Sequence, residues 1–338
     1  MNREYHNSIC TFDVILCSGL TEKTRLSFIS SNSSFSECSN HHSSHFLLPN
    51  SQSQCEPDCQ NIPFGTERIT LSEAIEYKFT SCTWNKAIGN PSGAISLSKP
   101  GSSLTVSACH FIQCNSTSSA PSLSQASLGG AIGVFGIKSF KVDSSQFINC
   151  CSPYNKSNNA DAGGICMNAV TTTISIINSD FIACFTGSSG AGFLMLFCTA
   201  NSNSRTVQNC RFLSNLASGE SPDGAAAMLF SNSGHPGFVD CIFSHSEAYY
   251  GGALYLGYRT FPSGVTFVNF CFFNANKGDT GNDIAISIPN MPTYDTPLFQ
   301  GCFSTSDSNR VGYFDTNWHT YDFNWLPLTT INTDPLLA

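Results

Sequence analysis

Charge is scarce in this chain. Only 11% of its 338 residues are Asp, Glu, Lys or Arg, against about 25% in an average domain. The basic residues form no run or patch and the formal net charge is −8. That excludes the electrostatic footprint of a nucleic-acid binder. No apolar run reaches the roughly eighteen residues a membrane helix needs, so no membrane span is expected. The opening residues, Met1 to Cys10, lack the apolar core of a secretory signal. No segment keeps a helical period over a dozen residues, which argues against a helix-built core. Phosphate-cradling glycine loops and nucleophile elbows are also missing. No catalytic residue, resident metal or cofactor is expected.

What is present recurs. The stretch Cys241-Ile-Phe-Ser-His-Ser-Glu-Ala-Tyr-Tyr-Gly-Gly-Ala-Leu-Tyr-Leu256 joins a Cys-x-Phe step to Gly-Gly-Ala and an alternating apolar strand. Laid on Phe243, the pattern returns at Phe111, Phe147, Phe181, Phe212, Phe273 and Phe303. The spacings are 36, 34, 31, 31, 30 and 30 residues. A period near thirty marks a stacked-repeat architecture.

Position by position, the repeats line up. Five residues before Phe stand Val106, Val142, Ile176, Val207, Phe238 and Val268, and two before it Cys109, Ser145, Ser179, Cys210, Cys241 and Cys271. The latter share a strand face with the Phe. The aliphatics are out of phase with both, so a corner lies between, at Asp143-Ser144, Gln208-Asn209 and Val239-Asp240. Three residues after Phe come Cys114, Cys150, Cys184, Asn215, Ser246 and Asn276. Glycine segments then give Ile95/Leu97, Ile132/Val134, Phe193/Met195, Ala226/Met228, Leu254/Leu256 and Ile284/Ile286.

One such repeat cannot bury its own apolar face, whereas stacking at about 4.8 Å builds a continuous core. The expected fold is all-β, a single right-handed parallel β-helix of about eight or nine coils, its hand following from chain chirality. A β-sandwich explains the turns but not the in-register Phe and Cys positions.

Gly129-Gly-Ala-Ile132 and Gly251-Gly-Ala-Leu254 match a GGA(I/L/V) motif, and Phe212-Leu-Ser-Asn215 and Phe273-Asn-Ala-Asn276 match FxxN. In alternation over roughly residues 67–303, they resemble the polymorphic membrane protein family, the β-helical adhesins of chlamydiae and similar protist surface proteins. The resemblance implies a β-helix and an adhesin-like role at the cell surface or outside the cell. Such proteins are expected to carry an export signal and an anchor; without them the chain reads as a fragment, an incomplete gene model or a protein with an unusual export route.

Three regions are expected. Residues 1–66 hold a degenerate coil around Phe28, Phe35 and Cys38 and a polar insertion, 67–303 the repeats, and 304–338 an aromatic cap with Tyr313, Phe314, Trp318, Tyr321, Phe323 and Trp325. The 17 cysteines mostly occupy repeat positions where Ser or Asn alternate with them, as a reduced, packed ladder would. Cys55 and Cys59 are the best disulfide candidates. Zinc at His41, His42, His45, Cys55 and Cys59 is chemically possible, but the spacing fits no standard finger. Sequons at Asn32, Asn115 and Asn155 are no more than composition yields by chance.

β-Helix lyases and glycosidases need clustered carboxylates. The position before each Phe reads His110, Gln146, Asp180, Arg211, Ile242 and Phe272, with no acidic pair. The corner before each glycine segment does gather Asp161, Glu220, Asp223, Glu247 and Asp279 with Tyr249 and Tyr250. An acidic, partly aromatic binding strip is expected there, flanked by long loops at 115–128 and 151–162. The expected function is a non-catalytic interaction scaffold whose partner is a glycoprotein or glycan on another cell. A carbohydrate-active enzyme and a structural spacer are the alternatives.

Overall fold

One turn of the chain runs through four short strands: Ser139–Asp143, Gln146–Ile148, Cys151–Ser152 and Ile165–Asn168. The next turn repeats them at Thr173–Ile177, Asp180–Ile182, Phe185–Thr186 and Phe193–Leu196. In the computed structural model, residues 58–117, 128–152, 161–199, 204–218, 223–231, 237–258, 268–287, 299–300, 302–305, 311–314 and 320–321 are described. All belong to one compact unit, Leu47–Ala338.

Equivalent strands pair in parallel, so the turns stack as a β-solenoid walled by four sheets. Among the described residues these hold nine, nine, seven and ten strands in chain order around the turn. The expected count of eight or nine coils is slightly off: among the described residues, seven turns carry a third-sheet strand and are complete on all four sides. The sheets also begin earlier than expected. Asp58–Gln60 pairs with residues 78–80 of the next turn, inside what was read as polar insertion. At the far end Val311–Phe314 extends the fourth sheet, and Thr320–Tyr321 closes on it antiparallel.

The stack is threaded by a file of rings. Phe64, Trp84, Phe111, Phe147, Phe181, Phe212, Phe243 and Phe273 lie face to face with centroids 4.6 to 4.9 Å apart. That spacing is one inter-strand step, so register and ring stacking enforce each other. The file does not end on Phe303, as expected. Phe303 pairs with Phe272 and Ser304 takes the inward slot opposite Phe273, so the last turn is offset by one residue. A second offset lies at the glycine segments. Ala227 and Leu229, not Ala226 and Met228, pair with Leu254 and Leu256. The positive-φ glycine that opens the segment is Gly224, in line with Gly251, and Asp223 lies immediately before it.

The corners are built by single residues in the left-handed region. Ala108, Ser144, Asn178, Asn209, Asp240 and Phe270 turn the first sheet into the second; Gln113, Asn149, Ala183, Ser214, His245 and Ala275 turn the second into the third. Each such residue costs about 1 kcal/mol, and each corner strands polar backbone groups that the next turn must satisfy. The residues of the two corner ladders do that work. At the first corner the Cys109 N–H donates to Ser145 Oγ (3.1 Å) and the Ser145 N–H to Ser179 Oγ (3.1 Å). Cys109 Sγ in turn donates to the Phe79 carbonyl, 3.4 Å away. At the second corner the Cys184 N–H donates to Asn215 Oδ1 (3.0 Å), while Asn215 Nδ2 donates to the Phe181 carbonyl (3.0 Å). Cys184 Sγ reaches the Phe147 carbonyl in the same way, at 3.5 Å. FxxC and FxxN are therefore one device in two chemistries.

Twelve described cysteines are reduced thiols, all buried. Burial pushes the Cys109 and Cys198 thiols up to about 12. Cys59 is disulfide-bonded, which removes it from any zinc set. Cys55, His41, His42 and His45 lie outside the described residues.

Candidate functional site

The edge where the third sheet passes into the fourth carries most of the expected strip. Along Glu247–Tyr250 the side chains alternate: Glu247 and Tyr249 face outward and Ala248 packs inside. The strand pairs with Lys277–Thr280, Glu247 opposite Lys277 and Tyr250 opposite Thr280. That register sets Tyr249 beside Asp279, one rung away. Asp223 bridges to Tyr250 from the other side. Three consecutive rungs therefore bring together Asp223, Glu247, Tyr249, Tyr250 and Asp279.

Their electrostatics differ from the formal charges. Glu247 Oε1 forms an ion pair with Lys277 Nζ at 2.7 Å, both side chains at least half exposed. Such a pair contributes under about 1 kcal/mol but cancels the local charge. Desolvation pushes the Asp223 carboxyl up to about 7, so near neutrality it carries only part of its charge. The Asp223 backbone is held in place, its N–H donating to Ser189 Oγ at 3.1 Å and its carbonyl accepting from Gly190. Burial, and then the neighbouring Tyr249 and Asp223, raise the Tyr250 phenol. Tyr249 is 41% exposed, and its ring meets that of Tyr250 at 81° with centroids 4.6 Å apart. The result is an aromatic knuckle with modest charge, rather than a strongly acidic groove.

Other expected residues stand apart. Asp161 pairs with Leu128 and occupies the same column as Asp223, but Ser189 lies between them. The two residues therefore sit two rungs apart along the stack. Glu220, Asn32, Asn155 and residues 118–127 and 153–160 of the long loops lie outside the described residues. Asn115 sits in a third-sheet strand with its Oδ1 buried, and the hydroxyl of Ser116, the middle residue of the Asn115–Thr117 sequon, donates to Ser152 Oγ at 2.8 Å.

The outer face of the second sheet holds a second polar constellation. His110 Nδ1 lies 3.1 Å from Gln146 Oε1, and Gln146 Nε2 donates to Asp180 Oδ2 at 3.3 Å. Arg211 closes the row with a bidentate pair on Asp180, at 2.7 and 2.6 Å. The row contains one carboxylate, already committed to a guanidinium, so it clips four turns in register and offers no acid–base pair. Beyond Arg211 the same column turns apolar, with Ile242, Phe272 and Phe303. Phe303 is 46% exposed, and the corner residue Phe270 is 60% exposed. Sequence reasoning placed Phe303 in the core; the signal that corrects it is Cys302, which aligns with Cys271 only if Phe303 aligns with Phe272. No three or more His, Cys, Asp or Glu residues are grouped to hold a metal ion among the described residues. No helix there is long and apolar enough to cross a membrane.

These features define, over the described residues, a parallel β-solenoid of short, four-sided turns with a packed apolar interior. No protein-family model, curated protein or solved structure matches the chain.

Proposed function

We propose that the protein is a non-catalytic interaction scaffold, an adhesin-like surface or secreted β-solenoid of the polymorphic membrane protein type. In this reading the lateral edge around Tyr249 contacts a glycoprotein or glycan on another cell. One observation carries it: an exposed tyrosine, flanked by Glu247, Lys277 and Asp279, stands on an edge whose strand interiors have no other freedom. An aromatic body with polar neighbours is the composition of a recognition hot spot. The alternation of GGA and FxxN motifs supports the surface role, and loops 115–128 and 151–162 are proposed as further contacts.

The test compares binding to glycan arrays and to cells by the intact protein, by Tyr249→Ala with Asp279→Ala, and by a chain with both loops shortened. Each altered form is expected to lose at least tenfold in apparent affinity with its melting transition intact, because loop length costs little stability. Undiminished binding by all forms would remove this edge from the argument.

Asp223 favours a second reading, a carbohydrate-active enzyme. A carboxyl group held near 7 beside tyrosines has the protonation state of a general acid. Among the described residues its column neighbours on the adjacent rungs are Ser189 and Tyr250, so no second carboxylate stands there as a glycosidase pair would need. Polysaccharide cleavage abolished by Asp223→Asn would establish the enzyme; no turnover by the native chain would discard it.

A further inference from the structure

The first interior corner sets four thiols in file, one inter-strand step apart. At the first corner Cys210, Cys241, Cys271 and Cys302 occupy four consecutive turns in register, as their paired neighbours Arg211, Ile242, Phe272 and Phe303 show. Each thiol makes a sulfur–carbonyl hydrogen bond, Cys241 Sγ to Val239 O at 3.3 Å and Cys302 Sγ to Val268 O at 3.0 Å.

A disulfide suits this run poorly. In-register parallel strands hold Cβ atoms about 4.8 Å apart with parallel Cα–Cβ vectors, whereas a disulfide draws them to about 3.8 Å. Tetrahedral zinc is equally unsuited, because it needs four ligands around one point and a single file offers two per gap. A linear two-coordinate ion fits. Two metal–sulfur bonds of about 2.3 Å each, end to end, span nearly one rung.

We propose that the Cys210–Cys241–Cys271–Cys302 file is a binding site for a soft univalent d10 cation, Cu(I) or its analogue Ag(I), held linearly between successive sulfurs. The soft thiolate–thiol donor pair selects this class over the harder divalent metals. As the metal–sulfur bond forms, one thiol releases its proton to solvent and its partner remains a neutral thiol donor. One univalent cation with one thiolate keeps the apolar interior uncharged, and no electron is transferred. The file opens at one end. Cys302 is 6% exposed and the other three are at 1% or below, so the Cys271–Cys302 gap loads first. The second thiol file, Cys114–Cys150–Cys184, is fully buried within the middle turns and does not load.

The experiment is anaerobic titration of the full chain with Ag(I) against a competing small thiol. It is read by native mass spectrometry, by sulfur-to-metal charge-transfer absorption and by X-ray absorption at the metal edge. Serine already fills equivalent ladder positions at Ser145 and Ser179, so Cys271→Ser and Cys302→Ser retain the fold, which a melting curve verifies. The tightest ion is expected to be two-coordinate with sulfur, to weaken at least 100-fold in either variant, and to be unchanged in Cys150→Ser. Retention of that ion in Cys271→Ser, a three- or four-coordinate spectrum, or equal loss in Cys150→Ser would overturn the assignment.

Discussion

At the scale of single residues, a side chain at a corner is chosen for the backbone groups it must satisfy in the turn before. Asn215 accepts the Cys184 N–H and donates to the Phe181 carbonyl, and Asn276 does the same for Ser246 and Phe243. Asn215→Ala leaves two buried backbone groups unpaired and is expected to cost about 2–3 kcal/mol. Asn215→Cys recreates the arrangement at Cys184 and is expected to cost under about 1.5 kcal/mol, both read from chemical denaturation. Equal losses would show that the asparagine acts through its volume alone. Asp223 gives a pH signature. Its folded value, about 7, lies above the unfolded carboxylate value near 4. Between those values the folded state binds the extra proton, so stability falls as pH rises from about 4 to 7 and stays lower above. Asp223→Asn is therefore expected to gain about 2 kcal/mol at pH 8, allowing for partial exposure, and nothing at pH 4. A gain independent of pH would point to packing instead.

At the scale of the strand and its ladder, much was legible in the sequence because the interior tolerates so few side chains. Phe at one inward slot and Cys, Ser or Asn at the two corners repeat with the turn, and a period survives even where one member changes, as when Trp84 replaces Phe. Two registers were not legible. In Ala225-Ala226-Ala227 no difference in side-chain size marks which residue faces inward, and a one-residue slip reverses every face. In Cys302-Phe303-Ser304 the Phe spacing and the Cys spacing imply registers one residue apart, and the pairing with Phe272 shows that the Cys register holds. The candidate edge was legible as a cluster of Asp, Glu and Tyr, but Glu247's cation was not, since it depends on pairing thirty residues away. The ring file itself yields a direct test. Phe243 is fully buried, stacked 4.9 Å from both Phe212 and Phe273. Truncation to Ala should cost about 3–5 kcal/mol, and Phe243→Asp should abolish cooperative folding. A variant as stable as the parent would remove the stacked file from the fold's energetics.

At the scale of the whole molecule, every hydrogen-bonded strand pair in the stack joins turns that are neighbours, so stability adds along one dimension. A middle turn gains from two interfaces and a terminal one from a single interface. The C-terminal turn is weaker still. Its described residues include no third-sheet strand, Ser304 stands where a ring belongs, and Phe303 is turned outward. Local opening should therefore start there and run inward. In amide exchange read by mass spectrometry, the Phe147 and Phe181 turns should be the slowest, and the Phe273 and Ser304 turns at least tenfold faster. The Phe243→Ala variant sharpens this expectation. If coupling passes only between neighbours, its loss of protection should fall mainly on the Phe212 to Ser304 side, with the Phe111 and Phe147 turns nearly unchanged. A drop of equal size in every turn would mean that the stack opens as one all-or-none unit, and the nearest-neighbour account would then be wrong.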